Sequence, residues 1–506
     1  MAGVQLLLAL AMFPSASSVS LLRLAVDASQ STHRISRHTL GCHHDAGYSR
    51  QARSLHAEMI WGQSFEGGEA AFTPPLPLNT TWPTTVAGPA GVTSSHELDR
   101  SAAATFHGRP PMRIVRGGTA TAAGLAGIAN RGVASEGFVL RRGKPYEGYL
   151  FVQNPGPSVA RLVLQLRDSG SAADSALVLA EHAVGVAPAA TWLRVNFTLI
   201  PNRTTTCVDV TTTPELLQCR ENGAGSACVQ CGGEFAVGLG APGEIRMGYA
   251  SLQPGSWARL GTLPVLREGV ELMQSMGVTV LRAGGTFAES GWNRWTEWRG
   301  PPWLRKSAGT AVFGDAIVAG WGPFEVLDMA AAAGFEPVLT TAAQYPNHAF
   351  TLQPGETACC DPSIMADLVE YLFGNASTAW GRLRHEDGHP LPYSLRYIEL
   401  GPSKSLPPGA QFFPFLSQHL FKCAVCAMCA VCVPCSGNEQ VNGLFVGQIE
   451  AMEDRANSLG LEGALSYLWP SAYFHNSSSE SNEPSLRAYC SCCAAAVTVH
   501  MCGVPL

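Results

Sequence analysis

The chain has 506 residues, of which 46% are hydrophobic and 14% are charged, and its formal net charge is -6. A chain of this length and apolar content can build two or three domain cores, which excludes a disordered protein. Its lysines and arginines are scattered and its net charge is negative, so the sequence indicates no basic surface for phosphate backbones. We therefore expect no nucleic-acid partner.

The N-terminus has the features of a secretion signal. Val4–Phe13 is a short apolar run, and small and polar residues follow it as far as Ser20. This pattern predicts a signal peptide over residues 1–20 and a secreted or extracellular protein. No later stretch has the about 18 to 20 apolar residues that a spanning helix needs, so no membrane partner is expected. Five glycosylation triplets fit a secreted glycoprotein: Asn79, Asn196, Asn202, Asn375 and Asn476.

One group of cysteines lies in a segment rich in Thr, Gly and Asn. An oxidising compartment favours disulfide bonds in such a segment. We expect two local bridges there, with the pairing left open, among Cys207, Cys219, Cys228 and Cys231.

The first half of the chain changes character near residue 137. Residues 67–136 are rich in Pro, Gly, Thr and Ala and are predicted to be a loop-rich linker. Over 137–240, short apolar runs such as Ala160–Leu166 and Thr191–Phe197 alternate with Gly, Pro and Ser turns. Short strands between turns predict a β-sandwich in this region.

From residue 245 strands and helices alternate, which predicts a parallel sheet with helices outside it. The fold class is therefore α/β, and a (β/α)8 TIM-type barrel over 245–470 is the natural closure. Only about five strands are present where eight are needed, so we expect a barrel truncated after about five strands. The predicted strands are 246–252, 278–282, 336–340, 395–400 and 463–470, and the predicted helices are 263–276, 324–333, 363–373 and 441–459.

An acidic residue, Glu439, lies 39 positions after the end of the predicted strand at Leu400. If residues 401–436 are removed, the strand continues directly into Gly437, Asn438 and Glu439. That arrangement places a carboxylate at the C-terminal end of a buried strand, where barrel enzymes carry catalytic groups. A glycoside-cleaving barrel needs one carboxylic acid for the leaving oxygen and a second carboxylate to attack or to activate water.

Several motifs in order resemble glycoside hydrolase family 51, the α-L-arabinofuranosidases. The segment from Gly381 through the Leu395–Leu400 strand to Gly437-Asn438-Glu439 resembles the approach to that family's acid/base. Residues 281–287 and the tryptophan-rich run up to Pro302 resemble its Arg-x-x-Gly-Gly strand end and following loop. Residues 38–66 resemble the N-terminal segment of its catalytic domain, and 137–240 resembles a carbohydrate-binding-like domain inserted in eukaryotic members.

The resemblance implies roles for individual residues. Glu439 would be the general acid/base, Asn438 a contact to the sugar 2-hydroxyl, and Arg282 a buried organiser of the carboxylates. Arg282 as a purely structural ion pair is the competing interpretation. Two tryptophans, Trp292 and Trp295, would bind substrate by stacking on sugar faces, in an aromatic platform with Trp303, or would simply pack at the barrel rim.

The N-terminal run His43-His44-Asp45 has two interpretations. It could ligate a metal, but no further ligands accompany it at suitable spacing. Polar rim residues or sugar contacts, the latter through Asp45, are favoured, and we expect neither a metal site nor a cofactor.

The partner of Glu439 is not identifiable in the sequence. The family resemblance implies a Glu nucleophile at the end of a later strand, yet none of the acids after Glu439 follows a strand, so no nucleophile is assigned. Residues 471–506 are predicted to be an atypical C-terminal tail.

Five cysteines within the insertion recur at every third residue, from Cys423 to Cys435. This spacing approaches that of iron-sulfur or zinc ligands, which keeps a metal-binding secreted protein as an alternative. The preferred interpretation is that 401–436 is a retained intron or a species-specific loop.

These observations predict a retaining α-L-arabinofuranosidase that removes terminal arabinofuranosyl residues from arabinose-containing polysaccharides or oligosaccharides. The alternatives are a catalytically inactive carbohydrate-binding relic without a nucleophile, and a related barrel glycosidase with another sugar specificity. The sequence does not indicate an oligomeric state.

Overall fold

A computed structural model describes fourteen parts of the chain, from the N-terminal segment to the last predicted barrel strand. They are residues 38–44, 54–65, 82, 84–86, 91–101, 104–118, 124–132, 135–169, 176–209, 229–284, 295–305, 320–341, 361–400 and 439–468. The predicted signal peptide, the insertion 401–436 and the tail 471–506 lie outside these ranges. None of the helices within them is long and apolar enough to cross a membrane.

A five-stranded parallel sheet forms the centre of the half of the chain that alternates strands and helices. Every neighbouring pair is parallel, and the spatial order of the strands follows their order in the chain. This order is the one in which a β/α barrel adds its strands, but the described residues form an open sheet and not a closed barrel. Its strands are β1 (Gly41–His44), β14 (Val280–Ala283), β15 (Glu336–Thr341), β16 (Tyr397–Leu400) and β17 (Ser466–Leu468).

Helices connect and cover these strands. They are α1 (Arg267–Ser275), α2 (Pro323–Ala333), α3 (Pro362–Phe373), α4 (Ala379–Glu386) and α5 (Glu439–Ser458). Helix α2 begins at Pro323 and ends before Gly334, whose φ of 76° is left-handed and stops the helix. Helix α3 is capped by Asp361, whose side chain accepts a hydrogen bond from the Ser363 backbone N–H at 2.9 Å.

Two of the predicted barrel elements differ from the structure. The strand predicted at 246–252 is part of β13 (Gly243–Pro254), which pairs antiparallel inside the β-sandwich, and the first strand of the parallel sheet is β1 instead. The helix predicted from residue 263 begins only at Arg267. Val265 forms an isolated β-bridge with His56, and Leu266 forms one with Arg259. These two residues are therefore extended and not helical.

The β-sandwich consists of two five-stranded sheets. The first contains, in spatial order, β2 (Thr84–Val86), β5 (Ala126–Asn130), β12 (Gly233–Leu239), β7 (Ala160–Asp168) and β8 (Leu177–Val186). The second contains β3 (Thr93–Leu98), β4 (Met112–Gly117), β13, β6 (Tyr146–Gln153) and β9 (Leu193–Leu199). All the pairings within both sheets are antiparallel.

The core of the sandwich lies between the two sheets. Leu164 and Phe235 from one sheet and Met247 and Leu150 from the other are fully buried in one cluster. Along β9 buried and exposed residues alternate, as expected for a strand with one face on the core and one in solvent.

The sandwich is larger than predicted. It begins at β2 and ends at Pro254, so part of the predicted linker 67–136 consists of strands β2 to β5. These strands lack the apolar runs that mark the others. In β3 no residue is fully buried, and β4 carries an arginine at every third residue.

One of the expected disulfide bonds is present in the sandwich. Cys207 and Cys231 are bonded across the two-stranded ribbon formed by β10 (Cys207–Asp209) and β11 (Val229–Cys231). Cys219 and Cys228 lie outside the described residues.

The two ends of the sandwich meet where it joins the parallel sheet. His56 forms an isolated antiparallel β-bridge with Val265, and the Ala57 N–H donates to the Pro264 carbonyl at 2.8 Å. The next residue, Glu58, accepts hydrogen bonds from the Ser251 hydroxyl at 2.7 Å and the Leu252 N–H at 2.9 Å. The chain therefore enters and leaves the sandwich at neighbouring points.

Candidate functional site

The carboxyl ends of the parallel strands bring four polar side chains together. They are His43 in β1, Arg282 in β14, Thr340 in β15 and Glu399 in β16. Because all the strands are parallel, these residues share one edge of the sheet, the edge where barrel enzymes hold their reacting groups. We describe them as the strand-end cluster.

Arg282 and Glu399 form the centre of the strand-end cluster. Arg282 Nε donates to Glu399 Oε2 at 2.5 Å, and Arg282 Nη2 donates to Glu399 Oε1 at 2.8 Å. This bidentate pairing fixes the orientation of the guanidinium plane relative to the carboxylate plane. The Arg282 side chain is 16% exposed and that of Glu399 is 1% exposed. A charge pair this deep is stable only because each charge has the other, since an unpaired buried charge is strongly disfavoured.

Two threonines of β15 complete the surroundings of Glu399. The Thr340 hydroxyl donates to Glu399 Oε2 at 2.8 Å, and the Thr341 hydroxyl donates to the Glu399 backbone carbonyl at 3.0 Å. Both carboxylate oxygens of Glu399 therefore accept hydrogen bonds.

His43 extends the cluster to the first strand. Its Nε2 lies 2.8 Å from Arg282 Nη1 and 3.4 Å from the Gly284 carbonyl. A guanidinium nitrogen can only donate, whereas a carbonyl can only accept, so one tautomer cannot serve both contacts. The shorter contact makes Nε2 the acceptor from Arg282.

Gly284 allows the backbone after β14 to pass close to Thr340 of β15. Its φ is 142°, and a Cβ at this position would lie 2.1 Å from the Thr340 Cβ. A side chain would therefore displace the threonine that binds Glu399. This contact gives a physical reason for glycine in the Arg-Ala-Gly-Gly sequence that ends the strand.

The predicted site residues are only partly within the described chain. Glu439 is the first residue of α5, but its side chain is not described. Asn438, Asp45 and Trp292 lie outside the described residues. Arg282 is mostly shielded from solvent and pairs with a carboxylate, although that carboxylate is Glu399.

Trp295 packs in the core instead of forming an exposed platform. It is 5% exposed, and its indole N–H donates to the Ile364 carbonyl at 3.1 Å. Its ring lies 5.0 Å from that of Trp380 and 5.4 Å from that of Tyr371. The structure favours the packing interpretation for this residue, because the surrounding rings leave no exposed face for a sugar.

The loop that contains Trp295 is anchored by two ion pairs. Arg305 donates to Glu325 Oε1 at 2.5 Å, and Arg299 donates to Asp387 Oδ2 at 2.6 Å. Glu325 also accepts the Gly322 N–H at the start of α2. These contacts fix the described part of the loop after β14 against α2 and the C-terminal end of α4.

The sequence analysis gave no role to Glu399 or Thr340, and it included His43 only in the His43-His44-Asp45 run of polar rim residues or sugar contacts. A signal for Glu399 is present, because a glutamate within an otherwise apolar strand is rarely buried without a partner. Thr340 gives no such signal, since threonine is common in strands.

The cluster can hold and orient polar groups at the sheet end. Its central charges neutralise each other, so it offers fixed hydrogen-bonding groups and no free nucleophile. Within the described parts of the chain there is no group of three or more His, Cys, Asp or Glu side chains arranged to hold a metal ion.

In sequence, the chain is similar to α-L-arabinofuranosidases. Residues 272–422 match the family model of the Alpha-L-arabinofuranosidase 1 domain. An extracellular exo-alpha-L-arabinofuranosidase of Streptomyces chartreusis is 39% identical over 59 residues, which are 12% of this chain and 7% of that enzyme.

The solved structures add a likeness in fold. The arabinose-bound α-L-arabinofuranosidase MgGH51 matches with a TM-score of 0.54 at 21% identity, over 72% of this chain and 54% of that chain. The family 51 enzyme AbfB of Bifidobacterium longum matches over 27% of this chain and 24% of its own at 22% identity, with a TM-score of 0.22 that is too low to argue from. The chain therefore spans about half the length of MgGH51 and a small fraction of the Streptomyces enzyme.

Proposed function

Because residues 272–422 belong to the α-L-arabinofuranosidase 1 domain, as the resemblance predicted, we propose that this chain is a retaining α-L-arabinofuranosidase. Its substrates would be arabinose-containing polysaccharides or oligosaccharides, from which it removes terminal arabinofuranosyl residues. The observation that carries the proposal is the Arg282 and Glu399 pair, buried at the carboxyl edge of a parallel sheet inside the matched segment.

Glu439 is the general acid/base in this mechanism. It protonates the oxygen of the leaving group while a second carboxylate attacks the anomeric carbon, and it then removes a proton from the water that hydrolyses the covalent intermediate. Asn438 binds the sugar 2-hydroxyl. Arg282 acts through Glu399, keeping a fixed neutral pair beneath the sugar. The attacking carboxylate is unassigned.

The wider setting follows from the same proposal. The five strands would be part of a (β/α)8 barrel, since they add in chain order as barrel strands do. Secretion is supported by the apolar N-terminal run and by the extracellular relative. Attached glycans at the Asn-x-Ser/Thr triplets other than Asn196, which accepts a hydrogen bond from Arg194, would follow from secretion.

A catalytically inactive carbohydrate-binding relic is the second candidate. Glu399 is the carboxylate described at the strand ends, yet it is 1% exposed and both its oxygens accept hydrogen bonds. It therefore cannot attack a sugar. Unless a nucleophile comes from outside the described residues, the chain would bind arabinosides without cleaving them.

The proposal is tested by hydrolysis of p-nitrophenyl α-L-arabinofuranoside. We expect turnover by the wild type and a loss of about 10²- to 10⁴-fold in Glu439→Gln, the usual contribution of a general acid/base. Glu450→Gln is the matched control, because Glu450 is an exposed residue of the same helix.

Azide separates the two candidates. In Glu439→Gln it can attack a covalent arabinosyl intermediate without base assistance, so added azide should restore p-nitrophenol release and yield arabinofuranosyl azide. If the wild type binds arabino-oligosaccharides but neither protein releases p-nitrophenol, the relic is correct and the enzyme proposal is wrong.

A further inference from the structure

An aromatic surface of the sandwich meets the loop that follows β14. Tyr149 and Phe151 of β6 each lie 5.4 Å from Trp303, measured between ring centroids. Trp303 is also held through its backbone, since Arg109 Nη2 donates to its carbonyl at 2.6 Å. Because this loop follows the carboxyl end of β14, the contact joins the sandwich to the strand-end side of the parallel sheet.

Arg194 lies on top of this aromatic surface and is exposed. Its guanidinium carbon is 4.1 Å from the centroid of the Tyr149 ring and 5.0 Å from that of Trp303. Its Nε donates to Asn196 Oδ1 at 3.0 Å. Trp192, which precedes β9, lies 4.9 Å from the ring of Phe106, which in turn lies 5.1 Å from that of Phe151, and Trp192 keeps part of its own ring exposed. We call Trp192, Arg194 and Trp303 the Arg194 ledge.

The ledge carries positive charge that the described parts of the chain do not neutralise. Arg194 has its aromatic and amide contacts there, but no described carboxylate pairs with it. Arg109, beneath Trp303, likewise has no described acidic partner, and its Nε and Nη1 are buried without a hydrogen-bond partner among the described residues. By contrast, the nearby Arg259 pairs with Glu147 at 2.5 Å.

This chemistry fits an acidic sugar. Indole rings stack against the apolar faces of sugar rings, and a planar guanidinium binds a carboxylate through two parallel hydrogen bonds. Resting on Tyr149 and tied to Asn196, the Arg194 guanidinium loses little further freedom on binding. A neutral sugar would contact only the indole rings and would leave the Arg194 charge without a partner of opposite sign.

We propose that the Arg194 ledge is a binding site for polysaccharides that carry uronic acid residues. A uronate carboxylate pairs with the Arg194 guanidinium, while a sugar ring of the same chain lies against the exposed part of Trp303 or Trp192. The site lies on the sandwich and needs no catalytic step, so it stands whether or not the chain hydrolyses arabinosides.

Affinity electrophoresis of the full chain in gels containing polygalacturonate tests the site. The neutral comparison is the same polymer with its carboxyl groups methyl-esterified. We expect retardation by the acidic polymer only, decreasing as salt is added because the exposed charges are screened.

Variants identify the residue. Arg194→Gln should weaken binding about tenfold or more through loss of one charged contact, whereas Arg194→Lys should retain part of it because it keeps the charge but not the planar fork. Arg203→Gln is the matched control, since Arg203 is exposed beyond the end of β9 and is not part of the ledge. It should bind as the wild type does.

Three results would overturn the proposal. They are equal retardation by the acidic and the esterified polymer, equal binding by Arg194→Gln and the wild type, and a glycan attached to Asn196 in the secreted protein. Peptide mapping of the secreted protein checks the last, because such a glycan would cover the guanidinium beside it.

Discussion

At the scale of single residues, the Arg282 and Glu399 pair makes a strong prediction about stability. Replacing Glu399 by Leu leaves the Arg282 charge buried without its partner, which should cost about 3–5 kcal/mol in the free energy of unfolding. Urea denaturation measures this loss. Replacing both residues by Leu should cost less than the sum of the single changes, because the second change removes the unpaired charge. Additive losses would show that the two side chains do not interact.

His56 and Glu58 make opposite predictions about pH. Burial raises the pKa of Glu58 from 4.5 to about 7, outweighing the hydrogen bonds that favour its ionised form. The folded state thus holds a proton that the unfolded state has released, so stability from Glu58 falls as pH rises from about 4.5 to 7. Burial, with Arg305 nearby, lowers the pKa of His56 from 6.5 to about 3. Its contribution is complete above pH 6.5 and falls as pH decreases towards 3.

Two uncharged substitutions separate the contributions of Glu58 and His56 to the pH dependence of stability. Relative to the wild type, Glu58→Gln should gain stability as pH rises from 4.5 to 7, by at most about 3 kcal/mol for a shift of this size. His56→Gln should change in the opposite direction over its own range. Urea denaturation at pH 5 and at pH 7 measures both. Parallel curves for all three proteins would contradict the two assignments.

At the scale of elements, Arg455 fastens helix α5 to helix α3. Its Nη1 contacts Glu370 Oε2 and lies 3.5 Å from Asp367 Oδ1, while Met452 and Ala456 of the same helix pack in the core. This attachment holds the C-terminal half of α5 against α3.

Loss of that attachment should loosen α5 specifically. Arg455→Met should cost about 1–2 kcal/mol through loss of a charged hydrogen bond and should speed hydrogen exchange in the described part of α5. Arg382→Met is the control, because the Arg382 and Glu386 pair on α4 is exposed and should change stability by less than about 0.5 kcal/mol. Equal effects of the two changes would show that Arg455 does not fasten α5.

The sequence predicted elements best where local signals and burial agree. Helix α2 was predicted to within one residue because Pro323 and Gly334 mark its ends. Strand β13 was assigned to the wrong sheet because most of it is buried, as in a central parallel strand. Strand β1 has four residues, Gly-Cys-His-His, and only its neighbour β14 makes it a strand.

The candidate site follows the same pattern. Arg282 was found from its motif, whereas its partner Glu399 required knowledge of which strands are neighbours. Trp295 was assigned to a platform because sequence shows a tryptophan but not the rings that cover it.

At the scale of the whole molecule, the junction between the sandwich and the parallel sheet has a consequence for how the two halves depend on each other. The pairing of β1 with β14 joins residues 239 positions apart, as in His43 and Arg282. Closing so long a loop of free chain would be entropically unfavourable. The sandwich brings its own two ends together at Ala57 and Pro264, so once it has folded the effective loop is short. The folded sandwich therefore shortens the loop that must close before β1 pairs with β14. We expect that the sandwich can be removed, or replaced by another compact module, by cutting the chain near Ala57 and Pro264.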